Sequence, residues 1–201
     1  LGLFPDMDAV CLFVPLHVDG LPSHVVEFLN QAESYCKSHS CRFRLYALSN
    51  NGFVEGKQNR PALHMLQAWC ERAGISWGGG SGVGGGVMLQ VLGIVYPILV
   101  GVILLQMALA FFTTSTVPSE LWCSLAIQIC TWLFLNSGML FCMARLSAAV
   151  RGRKPLANQF TRVMIPSFLF ISIANIFMIL SSLFQGRFLF ALLKRDKWYN
   201  D

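Results

Sequence analysis

Apolar positions come in two regimes along this chain. Up to residue 72 they form short blocks broken by polar residues, whereas 73–119, 121–144 and 163–186 hold no Asp, Glu, Lys or Arg at all. In the first regime, "DAVCLFV" (8–14) is a continuous β-branched run that predicts a strand buried on both faces of a parallel sheet. After the loop "PLHVDGLP", the stretch "SHVVEFLNQAESYCK" sets Val25, Phe28, Leu29 and Ala32 at helical spacing, with Ser23 placed to cap the start. "RFRLYALS" (42–49) predicts a second strand and "NNGFVEGKQNR" a long loop. Pro61 suits the first turn of the helix "PALHMLQAWCERAG", and Gly74 suits its end. "ISW" predicts a short third strand that hands the chain to the glycine run "GGGSGVGGG". Strand, loop, helix repeated in this order predicts a parallel α/β sheet with its three loops at the carboxyl ends of the strands. Open α/β sheets bind ligands at that edge.

The second regime predicts a membrane region. About 20 apolar residues span a bilayer as a helix, so each uncharged stretch contains a candidate span. The first runs from near Leu89 to Phe112 and tolerates Pro97; the second covers about 121–144. The segment "RLSAAVRGRKPLANQFTR" follows, with Arg145, Arg151, Arg153, Lys154 and Arg162 and no acid. Short basic loops face the cytoplasm, which puts the α/β part there too. Full crossing by 163–186 would carry the basic tail "RFLFALLKRDKWYND" to the other side, against that rule. The count is therefore two or three spans, and the domains expected are 1–86 (α/β) and 87–201 (membrane).

Composition agrees: 55% of residues are hydrophobic and 12% charged, where soluble domains carry about 25% charged. The seven cysteines show no CxxC spacing and read as reduced thiols. No HxxxH or HExxH marks a metal site, and His24 and His64 read as helix-surface residues. The basic residues cluster beside the spans, which leaves no case for nucleic-acid binding. Glu55 and Lys57 read as solvated loop charges, with contact to a nicotinamide cofactor as the alternative. Gly80, Gly82 and Gly85 fit G-x-G-x-x-G, but a dinucleotide fingerprint needs an acid about 20 residues on within a βαβ unit. Here the next acid is Glu120, beyond a span. A flexible linker remains open for the run on composition.

Taken together, "PLHVDGLPSHVVEFL", "LSNNGFVEGKQNRPALHMLQAWCERAG" and "ISWGGGSGVGGGVML" resemble, in order, the C-terminal half of the flavodoxin-like fold, in particular proteins akin to NADPH-dependent FMN reductases. The resemblance covers residues 8–86. It implies an FMN site at the sheet's carboxyl edge, with Pro15, Leu16, His17, Val18 and Gly20 beside one edge of the isoalloxazine ring and Asn50, Asn51, Gly52 and Phe53 at a second loop. The glycine run would then let backbone approach ligand or partner and hinge the sheet to the membrane. The family's phosphate-holding loop and about two strands are expected upstream of residue 1. The implied activity is membrane-tethered electron transfer from NAD(P)H through FMN to an acceptor the residues do not identify, at the cell membrane. The alternative is a non-enzymatic membrane protein whose degenerate α/β domain binds partners and no flavin. The oligomeric state, a homo-oligomer included, is open.

Overall fold

A computed structural model describes residues 2–17 and 19–185. Four strands form one parallel sheet in the order β1 (Ala9–Pro15), β2 (Arg44–Asn50), β3 (Ser76–Gly84), β4 (Gln159–Arg162). Between them come α1 (Ser23–His39), α2 (Arg60–Ala73), α3 (Gly86–Thr114) and α4 (Ser119–Arg151), and α5 (Ser167–Phe184) follows. The chain divides into two compact units, Leu1–Met164 and Ile165–Asp201. The fold is thus mixed α/β with long apolar helices, as the two regimes of the sequence predict.

One face of the sheet carries α1 and α2. Leu29, Ala32 and Cys36 of α1 and Ala62, Leu63, Leu66, Trp69 and Cys70 of α2 bury against Val14, Leu45 and Ala47. The Trp69 indole donates its N–H to the Leu29 carbonyl at 2.7 Å, so even this aromatic is polar-satisfied in the core. Helix α2 takes Pro61 in its first turn and ends on Gly74 at φ 69°, both as its sequence requires. Helix α1 begins one residue earlier than expected: Pro22 is its N-cap, Ser23 is its first residue, and no side chain caps it.

The other face is covered by α4. Leu146 and Ala149 of α4 pack on Tyr46, whose hydroxyl donates to the carbonyls of Ala149 (3.1 Å) and Lys154 (2.9 Å). The basic stretch expected to be a loop therefore does three things. It extends α4 to Arg151, crosses back under the sheet, and supplies β4. The pair α3–α4 with its return is the connection between parallel strands β3 and β4, and parallel strands require such a crossover.

Two strands differ from their reading. β1 is an edge strand with one face uncovered: Cys11 is exposed and Phe13 is 65% exposed. β3 does not stop at Trp77 but runs through the glycines to Gly84. Helices α3, α4 and α5 are each long and apolar enough to cross a membrane. At 18 residues, α5 reaches about 27 Å at 1.5 Å per residue, close to the hydrocarbon thickness. The basic tail 187–201 lies outside the described residues.

Candidate functional site

Register lines up one row across the sheet's carboxyl edge. Pro15 pairs with Asn50, Asn50 with Val83, and Val83 with Thr161. Strands lie about 4.8 Å apart, so this row is about 14 Å long. The residues expected at the flavin edge sit at its first two positions.

Each loop there is held by backbone hydrogen bonds. Leu16 donates its N–H to the Asn50 carbonyl at 2.8 Å. His17 and Gly20 exchange N–H···O bonds at 2.9 Å each, closing a tight turn in which Asp19 has φ 61°. Pro15 and His17 are exposed and Leu16 and Gly20 half-buried, while Val18 lies outside the described residues. In the second loop Gly52 and Phe53 are exposed and Asn51 is buried.

Asn51 uses its polar groups to knit the loops together. Its N–H donates to Val83 (3.1 Å), its carbonyl accepts from Gly86 (2.7 Å), and its side-chain oxygen accepts from the Phe53 N–H (3.0 Å). Its side-chain amide donates to the Glu55 carbonyl at 3.2 Å. Asn51 therefore holds the second loop in place. Asn50 is the opposite case: its side-chain oxygen is buried and has no hydrogen-bond partner among the described residues.

The glycines serve a purpose other than the expected one, because protein atoms fill the space they leave. A Cβ on Gly78 would meet the Tyr46 ring at 2.6 Å, and one on Gly80 the Leu63 side chain at 2.7 Å. On Gly82 it would meet Phe160 (2.7 Å) and the Gly56 carbonyl (2.8 Å), and on Gly84 the Val54 carbonyl (2.5 Å). On Gly79, at φ 105°, it would run into the Leu156 carbonyl. The run is a strand packed at backbone distance on both faces. Its end is a hydrogen-bonded corner rather than a loose hinge: Gly85, at φ 88°, donates to Phe53 (2.6 Å) and precedes α3 directly.

Two contributors escape the sequence reading. Asn59, fully buried, donates from its side chain to the carbonyls of Gly56 (3.1 Å) and Val83 (3.0 Å) and accepts from the Ser49 hydroxyl (2.9 Å). Its position just before a Pro-initiated helix was the available signal. The other is β4. The Arg162 guanidinium donates to the Glu55 carboxylate at 2.7 Å, so Glu55 is paired across the edge rather than merely solvated. Glu55, Gly56, Lys57, Phe160, Thr161, Arg162 and Met164 line a cavity of about 250 Å³ at the carboxyl end of β4.

His24 and His64 are exposed on α1 and α2. Among the described residues no three His, Cys, Asp or Glu side chains converge as metal ligands. Burial pushes the Cys70 thiol up to about 12, with the neighbouring Glu71 carboxylate adding to the effect. Burial does the same for Cys36, also to about 12, aided by Cys41. Such thiols stay protonated at neutral pH and are not nucleophiles. At this edge the described residues supply hydrogen-bonding groups and the Glu55–Arg162 ion pair. No protein-family model, curated protein or solved structure matches the chain.

Proposed function

We propose that this chain is part of a membrane-tethered flavoprotein that carries electrons from NAD(P)H to an acceptor, with FMN at the carboxyl edge of the sheet. The observation that carries the reading is the buried Asn50 side-chain oxygen, unpartnered in a row of tightly hydrogen-bonded loops. An unmade buried hydrogen bond costs about 1–3 kcal/mol, and an isoalloxazine ring presents an imide N–H that would make it. Backbone of the 16–20 and 50–53 loops would flank the ring, with Asn51 fixing the second loop. When bound, FMN supplies hydride acceptance and onward electron transfer; the protein's part is to orient the ring and shield it. The α/β part faces the cytoplasm on this reading, because Arg145 and Arg151 lie toward the C-terminal end of α4 and Arg153 and Lys154 just past it.

A second reading is supported by the glycines. Their space is filled by protein, as suits an α/β domain kept for partner binding without a cofactor. The two separate on one preparation of the full chain in mild detergent. FMN added and passed through desalting co-elutes with the protein and is bleached by NAD(P)H if the first reading holds. A colourless protein that FMN does not load sinks it and leaves the second.

A further inference from the structure

The cavity at the end of β4 brings cations to the edge. Its walls are the 3-10 turn Gly56–Asn59 and the strand Gln159–Arg162, and they meet at backbone distance: a Cβ on Gly56 would strike Thr161. Two cations, Lys57 and Arg162, face it with one acid, Glu55. The Arg162 guanidinium has one nitrogen on Glu55, and both side chains stay substantially exposed, at 39% and 56%. Exposed pairs of this kind hold weakly in water. Guanidinium forks bind phosphate bidentately and more strongly than a single-point carboxylate contact. The cavity also lies two strands from Asn50, about 10 Å along the same edge.

We propose that this pocket binds a phosphate ester, with Arg162 and Lys57 as its cationic partners and Glu55 as a built-in competitor that the phosphate displaces. Resting on the flavoprotein reading, the ester is a phosphate of the nicotinamide cofactor, whose ring then reaches toward Asn50. A lipid headgroup offers the same chemistry from the adjacent bilayer, since Met164 donates its N–H to Leu135 of α4 just past β4. Glu55 makes the site legible in both directions: removing Arg162 weakens binding, and removing Glu55 strengthens it.

The test is calorimetric titration of the full chain in detergent, without FMN, using NADPH, inorganic phosphate and a short-chain phosphatidic acid as probes. NADPH binds, inorganic phosphate competes, Arg162→Gln weakens binding about tenfold, and Glu55→Gln tightens it about two- to fivefold. Lys57→Gln, on an exposed turn residue, gives an independent loss should Arg162→Gln disturb β4. If only phosphatidic acid follows this pattern, the phosphate site stands and the nucleotide as its source is wrong. If no probe binds, or binding ignores all three substitutions, the proposal is overturned. FMN is added to a second aliquot of the same preparation and its flavin bands are read after desalting. A protein that takes no FMN yet shows Arg162-dependent phosphate binding sinks the flavin reading alone.

Discussion

β1 and β3 belong to one sheet and invert the usual relation between composition and burial. β1 reads AVCLFVP and leaves Cys11 and Phe13 in the open; β3 reads SWGGGSGVG, and every residue from Gly78 to Gly84 is buried. The cause is what crosses each strand. β1 is an edge, and an apolar cavity of about 300 Å³ separates its Cys11 and Phe13 from Leu146 and Val150 of α4. Over β3 the chain passes at backbone distance on both faces, with Tyr46 and Leu156 on one and Leu63 on the other. Only glycine permits that approach. Hydrophobicity here reports what a strand could cover, and the absence of side chains reports what already covers it.

Substitutions along the two strands break this comparison if it is wrong. Gly79→Ala combines a left-handed backbone with a clash against Leu156 and is expected to cost about 3 kcal/mol. In a chain of this size that lowers Tm by about 6–12 °C in a detergent melt. Asn59→Ala strands the Gly56 carbonyl and the Ser49 hydroxyl beside β3 and leaves the Val83 carbonyl to the Asn51 N–H alone, for about 2–3 kcal/mol by the same melt. Tyr46→Phe keeps the ring over Gly78 but removes the hydroxyl donor of the Lys154 carbonyl and leaves the Ala149 carbonyl to the Lys154 N–H alone. A loss of about 1–2 kcal/mol is expected, with faster proteolysis at 150–158. Phe13→Ser on β1 should stay within about 0.5 kcal/mol of the parent. A Phe13→Ser loss as large as that of Gly79→Ala would mean that β1 is covered by something else in the working protein.

Most of the fold was legible because its signals are local. The apolar run of β1, the period of α1 and α2, and Gly74 as a helix stop each state their element within a few residues. The extension of β3 was not legible, since glycine is depleted in strands and nothing nearby says that Tyr46, Leu63 and Leu156 will occupy its faces. β4 was hidden for a related reason. "QFTR" is short and follows a basic stretch, and each of its residues pairs with one 78 positions upstream, in a different regime of the pattern. The first two site loops could be placed at the carboxyl edge from strand–helix alternation alone. The roles within them, Asn51 as the knot and Asn50 as the buried, unpartnered acceptor, depend on which hydrogen bonds cross between loops.

The proposed flavin site requires the loops after β1, β2 and β3 to act together at this edge. Hydrogen–deuterium exchange of the full chain in detergent, with and without saturating FMN, tests it most directly. The account predicts slowed exchange in 16–20, 50–53 and 84–86 together, with α1 unchanged. Exchange that ignores FMN, or that changes only outside these three segments, would contradict it.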